Sequence, residues 1–432
     1  MFRILAIILL GVLTSFYFFP FEFAILPGAN TKMVMAGVSL IVLAMNLAKN
    51  RRASINKDFL NISLIACLMS LTGLASVAYN ETNDYTYTTY IISMWVWLGG
   101  AYLVISCMRW LHEKVSVSLV ANYLIVVCVA QCIIALLIDN YPAVYNFVHT
   151  YIAGFDWVGF EQLEKGGRLY GIGAALDVAG LRFSTVLAMI AYLSVKSVET
   201  SNHKLTIWYL LAFIIITIVG NMMARTTIVG VALSCVYWLY ASKEMDNTKV
   251  LWYYIIGLGC VTIAITTFLY SNNPIFKEDI RFAFEGFFSL VETGKWDVSS
   301  NEMLKNMYVF PDNLKTWGIG DGYIENPYSL DPYYTGRRWG GYYMGTDVGY
   351  LRFIFYFGVI GLALFISFFC KTTQICIKRF QGYRVLFLMI VAVNFIVWFK
   401  VATDIFVVFA LFLCIGEDEN ESEDEVMLHT ES

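Results

Sequence analysis

Five arginines beside glycine and aromatic residues are the side chains whose types and spacing could do chemistry: Arg168, Arg182, Arg225, Arg337 and Arg338. A guanidinium presents a planar fork of N–H donors, which fits pyrophosphate oxygens better than the point charge of a lysine. Arg168 lies in the segment Gly-Gly-Arg-Leu-Tyr-Gly, and Trp-Gly-Gly-Tyr-Tyr follows Arg338. Because aromatic faces suit sugar rings while arginine suits phosphate, these segments indicate binding of a phosphorylated glycan.

Arg225 lies in Asn-Met-Met-Ala-Arg-Thr-Thr, a short turn between two strongly apolar stretches. A charge at the centre of a bilayer costs about 2.5–3.5 kcal/mol, and less near the interface, so ionisable residues in such places are functional candidates. We expect Arg225 to be a phosphate ligand, helped by the N–H groups of a helix that starts at Thr226. The alternative is an interfacial arginine whose side chain reaches lipid phosphate.

Asp347 is the best-placed acid, because it lies at the start of an apolar segment where partial desolvation could raise its pKa toward that of a general base. The alternative is that Thr346 or Asp347 caps the helix that follows. Lys400 and Asp404, in a later short turn, are secondary candidates for substrate binding. The alternative is that Lys400 and Asp404 form an ion pair with each other.

The other arginines also have structural alternatives. Arg168 could form a salt bridge with Glu161 or Glu164, and Arg182 could be an ordinary interfacial anchor at the start of the next helix. The Arg337-Arg338 pair could be solvated in a loop.

The composition is that of a membrane protein. Hydrophobic residues make up 59% of the chain and charged residues 14%, whereas soluble domains are roughly 25% charged. The mean hydropathy is +0.64. A soluble protein of this length would need a polar surface that this sequence cannot supply.

A spanning helix needs about 20 apolar residues. Twelve segments fit, of which the sixth and the last two are short: 4–26, 32–48, 58–79, 90–108, 115–138, 182–195, 205–221, 226–241, 250–270, 348–370, 385–400 and 403–416. We therefore predict an all-α polytopic membrane protein with about twelve transmembrane helices in a single domain over residues 1–416. The acidic stretch 417–432 is predicted to be a disordered tail.

The distribution of lysine and arginine over the short connections predicts the orientation. One side holds 15 of them and the other side only Lys32, Arg225 and Lys400. Both termini are therefore predicted to be cytoplasmic. Two long connections, residues 139–181 (the first connection) and residues 271–346 (the second connection), are then predicted to lie outside. The second connection is expected to contain short helices at the membrane surface.

Several kinds of chemistry are excluded by sequence. There is no Walker-type phosphate loop, no zinc-binding spacing among the four histidines and no Gly-x-Ser-x-Gly turn. The two connections lack a cysteine, and they lack an Asp-x-Asp pair of the kind that holds a nucleotide-sugar metal. A metal-independent, cofactor-free reaction on an already activated substrate remains, or transport.

Four short patterns occur in order along the chain. Arg168 is followed by eleven residues and then Gly180, and Arg338 by ten residues and then Gly349. Ala-Arg-Thr-Thr surrounds Arg225. The runs Asp-Val-Gly-Tyr-Leu and Phe-Gly-Val-Ile-Gly occupy residues 347–351 and 357–361.

Together with the topology, these patterns resemble the Wzy-type polymerases of O-antigen and capsular polysaccharides, in the superfamily that also holds O-antigen ligases. Members of that family carry an arginine–glycine pattern in each of two periplasmic loops, a Ser-Arg-Ser/Thr turn that opens a helix, an Asp-x-Gly-Tyr entry and a Tyr-Gly-x-x-Gly helix. The resemblance spans most of the chain and implies a GT-C-like fold in the bacterial inner membrane.

The resemblance also implies a function: polymerisation of undecaprenyl-pyrophosphate-linked oligosaccharides on the periplasmic face. In this hypothesis, the pyrophosphate charge is stabilised by Arg168, Arg182 and Arg225. Asp347 accepts a proton from, or orients, the acceptor hydroxyl. Arg337 and Arg338 hold the phosphates of the acceptor lipid, and Lys400 assists.

The implied partners are the lipid-linked glycan, the bilayer and a candidate chain-length regulator protein, with no nucleic acid. An O-antigen ligase is the alternative enzyme, although ligases carry a histidine near the end of the large outer loop and the second connection has none. A lipid-linked oligosaccharide flippase is the alternative of another class. Paired halves with buried charges in the helices would be expected of a flippase.

Overall fold

The computed structural model describes residues 2–50, 56–153, 168–244, 248–327 and 341–416. Its first nine α-helices are α1 Phe2–Phe18, α2 Thr31–Asn50, α3 Lys57–Asn80, α4 Tyr90–His112, α5 Val117–Asn140, α6 Pro142–Tyr151, α7 Leu176–Glu199, α8 His203–Met223 and α9 Ile228–Glu244. The remainder are α10 Thr248–Asn272, α11 Pro274–Ala283, α12 Glu285–Thr293, α13 Ser299–Met307, α14 Leu314–Gly318, α15 Gly349–Arg379, α16 Arg384–Val397 and α17 Phe406–Leu413.

Within the described ranges, eight helices are long and apolar enough to cross a membrane: α2, α3, α4, α5, α7, α8, α10 and α15. The protein is therefore an all-α, multi-pass membrane protein, as the composition predicts. Each of the twelve predicted segments overlaps a helix, although the first helix ends at Phe18 rather than at the predicted residue 26. The other four are shorter, with 17 residues in α1, 17 in α9, 14 in α16 and 8 in α17.

Helix α7 is the most buried of the eight long helices. It begins at Leu176 rather than at the predicted residue 182, so Arg182 lies inside the helix and does not open it. Gly180 packs against the turn after α8, because a Cβ at this position would overlap the hydroxyl of Thr226. Small residues allow membrane helices to approach each other this closely.

Helix α15 is interrupted at Phe357 and Gly358, which have non-helical backbone angles, and φ of Gly358 is +70°. The interruption frees carbonyl groups of the preceding turn for other donors. Asp321 donates its backbone N–H to the carbonyl of Phe355, and Gly322 donates to that of Tyr356 at 3.1 Å. The interruption at the Phe-Gly-Val-Ile-Gly run thus allows the second connection to form hydrogen bonds with α15.

The described part of the second connection contains the short helices α11 to α14, so the prediction of helices there is confirmed. Arg281 of α11 forms a two-pronged ion pair with Glu292 of α12, at 2.8 and 2.9 Å. The ring of Tyr270, near the end of α10, stacks on Phe288 with centroids 5.7 Å apart. These contacts join α10, α11 and α12 into one unit.

The turn between α16 and α17 is fixed by the buried indole of Trp398. The ring of Trp398 packs against Phe353 at 4.9 Å and Phe365 at 5.0 Å, both in α15. Aromatic pairs at such distances contribute roughly 0.5–1.5 kcal/mol beyond the area they bury. The indole N–H donates to the carbonyl of Thr403. The backbone around Lys400 is therefore held by the core.

Candidate functional site

The Ala-Arg-Thr-Thr segment forms a tight turn at one end of the bundle. Helix α8 ends at Met223, residues Arg225–Thr227 form one 3-10 turn, and α9 starts at Ile228. The Thr227 hydroxyl donates to the carbonyl of Gly220 at 3.0 Å. The Thr226 hydroxyl donates to Asp177 Oδ1 at 3.3 Å. The turn therefore holds the carboxylate of Asp177 beside Thr226, the residue after the arginine.

Arg225 is half-buried and is bound to the second connection. Its Nη1 lies 2.7 Å from Glu285 Oε2, and its Nε donates to the carbonyl of Phe282 at 3.1 Å. The guanidinium also lies over the Phe282 ring, 4.0 Å from the centroid. Burial lowers the pKa of Arg225, and the Glu285 carboxylate opposes that shift. This arginine is an anchored cation rather than a freely moving interfacial one.

Arg168 faces the same phenylalanine. Its guanidinium carbon lies 5.0 Å from the Phe282 ring centroid. The neighbouring Leu169 donates its N–H to the carbonyl of Met222 at 3.3 Å, which fixes Arg168 beside the Arg225 turn. Within the described residues the guanidinium of Arg168 has no ion pair. Its alternative partners, Glu161 and Glu164, lie outside the described ranges.

Asp347 comes just before α15, and its charge acts on Lys400. Arg352 Nη1 donates to Asp347 Oδ1 at 3.2 Å. Burial raises the pKa of Asp347 to about 7, and the negative charge of Asp177 adds to the rise while Arg352 opposes it. A carboxylate with a pKa near neutrality suits general-base chemistry.

The position of Asp347 follows from the residues after it. A Cβ at Gly349 would lie 2.5 Å from the carbonyl oxygen of Val401, so only glycine lets these backbones meet. Tyr350 donates its N–H to the carbonyl of Trp398 at 3.2 Å. Helix α15 is capped by Val348, without a side-chain capping bond. Asp347 therefore does not cap α15.

Lys400 lies in the turn on which Gly349 and Tyr350 dock. Its side chain lines a cavity of about 270 Å³ together with Arg225, Asn221, Glu285 and Trp296. Burial lowers the pKa of Lys400, while the charges of Asp177 and Asp347 oppose the shift. Among the described residues its ammonium group has no ion pair; the Asp404 carboxylate instead accepts the N–H of Phe406 at 3.0 Å.

Four predicted site residues are thus brought together. The charges of Arg168, Arg225 and Asp347 all act on Lys400. These four residues, with Asp177, are called the charged cluster below. They come from regions of the chain more than two hundred residues apart. The charged cluster holds three cations and two carboxylates, and Glu285, the ion-pair partner of Arg225, supplies a third carboxylate beside it.

Arg182 is not part of the charged cluster. Its side chain is buried, and it donates to the carbonyl of Phe18. The guanidinium lies 5.4 Å from the Phe19 ring and 5.9 Å from the Trp97 ring. Arg337 and Arg338 lie outside the described residues.

Sequence reasoning missed the residues that support Asp347. Arg352 Nη2 lies 2.6 Å from Glu325 Oε1, and its guanidinium carbon lies 4.5 Å from the Tyr342 ring. The buried carboxylate of Asp84 accepts the N–H of Ile324 at 2.8 Å. Arg352 is visible five residues after Asp347, but its partners come from distant parts of the chain that no local pattern connects.

Among the described residues, no group of three or more His, Cys, Asp or Glu side chains is arranged to hold a metal ion. Comparisons with protein-family models, with curated proteins and with solved structures find no match to this chain. What the site can do is therefore argued from its own geometry. It combines cations at a cavity with an acid whose pKa of about 7 allows proton transfer near neutral pH.

Proposed function

We propose that the protein is a membrane glycosyltransferase that polymerises undecaprenyl-pyrophosphate-linked oligosaccharide repeat units, for O-antigen or capsule. The observation that carries this proposal is the charged cluster, in which Arg225 and Lys400 line one cavity and the charges of Arg168 and Asp347 act on Lys400. The finer architecture belongs to the same proposal. It comprises about twelve membrane spans in a GT-C-like arrangement in the bacterial inner membrane, with cytoplasmic termini and both long connections in the periplasm.

The reaction is a displacement at the anomeric carbon of the donor glycan. The bond from this carbon to the pyrophosphate oxygen breaks, and the leaving undecaprenyl pyrophosphate takes the electron pair. A hydroxyl oxygen of the acceptor sugar forms the new glycosidic bond, and its proton passes to the carboxylate of Asp347. Because the donor is already activated, the reaction needs no nucleotide.

The cations have separate parts in this proposal. Arg225 and Arg168 face the leaving pyrophosphate and stabilise its developing charge, an electrostatic contribution that is often the largest in catalysis. Lys400 binds the same anion from the other wall of the cavity. Arg337 and Arg338 are proposed to hold the phosphates of the acceptor lipid. For Arg182 we propose a structural part, because its guanidinium is committed to α1.

A gene deletion in the source strain tests the proposal against its rivals. Loss of a polymerase leaves single repeat units attached to the final acceptor, whereas loss of a ligase leaves none attached. Loss of a flippase leaves the lipid-linked units on the cytoplasmic side. We expect single attached units, and restoration of long chains by the intact gene. Any other pattern would contradict the proposal.

A further inference from the structure

An apolar groove lies between α8, α10 and the first two helices of the second connection. It encloses about 400 Å³ and is lined by Ile218, Thr262, Thr266, Ile280, Phe284 and Phe288, among others. The Thr262 hydroxyl is satisfied by the carbonyl of Leu258 at 2.8 Å, so it adds no unmet polar group to the wall. Such a mostly apolar wall fits a hydrocarbon chain.

The helices α11 and α12 cover the groove, and Arg281 lies near one edge of it. Ile280 of α11, Phe288 of α12 and Phe284 between these two helices all line the groove. Above them, Arg281 holds Glu292 and also donates to the hydroxyl of Tyr270 at 3.1 Å. Arg281 marks the polar edge of the groove.

The groove is next to the proposed catalytic cavity. Phe284 lines both of them, and the next residue, Glu285, is the ion-pair partner of Arg225. The guanidinium groups of Arg168 and Arg225 lie over the ring of Phe282, two residues before Phe284. One short segment of chain therefore lies between the apolar groove and the cations of the charged cluster. This juxtaposition is what an amphiphile with a pyrophosphate head requires.

We propose that this groove holds the polyprenyl chain of a lipid-linked pyrophosphate substrate, whose head group reaches Arg225 and Lys400. The proposal rests on the proposed function for the identity of the head group. Burial of apolar surface, at about 25 cal/mol per Å², supplies binding energy at a place remote from the reacting bond. The groove is a lateral site for the lipid, separate from the sugar-binding surfaces.

Photocrosslinking tests the site directly. The photoreactive amino acid p-benzoylphenylalanine replaces Thr266 in the groove, or Ile265 as a matched control. Ile265 is an exposed neighbour on the same helix and does not line the groove. Each full-length variant is purified into phosphatidylethanolamine–phosphatidylglycerol vesicles with tritiated undecaprenyl pyrophosphate.

We expect the Thr266 position to capture at least about tenfold more label than the Ile265 position, which corresponds to about 1.4 kcal/mol of preference. Unlabelled undecaprenyl pyrophosphate should abolish that capture, and excess phosphatidylglycerol should not. Equal capture at both positions, or displacement by phosphatidylglycerol, would identify ordinary annular lipid and overturn the inference.

A second variant tests the site through function. Thr266→Trp fills the groove and should raise KM for the lipid-linked donor with kcat little changed, whereas Ile265→Trp should alter neither. An unchanged KM in Thr266→Trp overturns the inference. Chain growth by the unsubstituted protein without specific capture overturns the groove site and leaves the function intact. Specific capture without chain growth supports the groove and overturns the polymerase.

Discussion

Arg352 donates to Asp347 at 3.2 Å while holding Glu325 more closely, at 2.6 Å. Arg352 thus forms ion pairs with two acids, of which Asp347 is the more buried and Glu325 the more exposed. Within the described residues, Asp347 accepts a hydrogen bond only through Oδ1. Its second oxygen is left to accept a proton, so Arg352 orients the base without neutralising it.

The first prediction concerns pH. Because Asp347 must be ionised to act as a base and its pKa is about 7, kcat/KM should rise with pH through about 7 and then level off. The charge of Asp177 contributes to that raised pKa. Asp177→Asn should therefore shift the midpoint to lower pH. Chain-growth rates measured from pH 5 to 9 check both statements. A midpoint that does not move would exclude the coupling.

The second prediction is a pair of opposite effects at Asp347. Removing a general base lowers rates by about 10²- to 10⁴-fold, so Asp347→Asn should be nearly inactive. The pKa of Asp347 is higher in the folded protein than in the unfolded chain, so stability falls as pH rises from about 4 to about 7. The amide removes that pH dependence, and Asp347→Asn should be the more stable protein at pH 8.

Asp312→Asn is the control, because Asp312 is an exposed acid of the second connection. It should change neither chain growth nor thermal stability. If Asp347→Asn kept full activity, the base would have to be another group.

The sequence predicted this part of the site only in outline. The Asp-Val-Gly-Tyr run shows an acid at a helix start. The role of Gly349 depends on its contact with Val401, which is tertiary. The predicted position of Arg182 was wrong. The apolar pattern strengthens only after residue 182, which hides the helix start at Leu176. Arg182 was therefore predicted at the start of the helix, but it is buried inside the helix.

The third prediction concerns Arg225. Loss of one preorganised charge at a developing oxyanion costs about 10²- to 10³-fold in kcat, and Arg225→Ala should show a loss of this size. Arg225→Lys should restore only part of it, because a lysine cannot both pair with Glu285 and present a fork. Lys305→Ala, at an exposed cation of α13, is the control. Normal chain lengths in Arg225→Ala would remove Arg225 from the mechanism.

The fourth prediction separates function from stability at Lys400. A sheltered ammonium without an ion pair destabilises the fold, so Lys400→Met should raise the melting temperature in detergent. The same substitution should raise KM for the lipid-linked donor, and Lys400→Arg should largely preserve it. A variant that is both less stable and unchanged in KM would show that Lys400 is structural.

The fifth prediction tests the fastening of the second connection. Gly358 has φ of +70°, and a Cβ there would overlap the carbonyl of Gly318. Gly358→Ala should therefore destabilise the protein by more than the ~1 kcal/mol of a strained φ alone. Gly257→Ala, in the open interior of α10, should be neutral or slightly stabilising. Equal melting temperatures for the two variants would contradict this account of the α15 interruption.

The helices were within reach of sequence reasoning, because apolar length is a local signal, whereas the interruption of α15 was not predicted. The charged cluster was not within reach either. Arg168 and Arg225 lie together because Leu169 bonds to Met222 and both guanidinium groups lie over Phe282, a residue of the second connection. Long-range convergence of this kind depends on packing, which a single sequence does not encode locally.

The central claim is best tested with purified protein in vesicles. The substrate is the lipid-linked repeat unit extracted from the source strain after deletion of the gene. We predict products that contain two or more repeat units, with one undecaprenyl pyrophosphate released for each new glycosidic bond. Repeat units that stay single, with no undecaprenyl pyrophosphate released, would contradict the account.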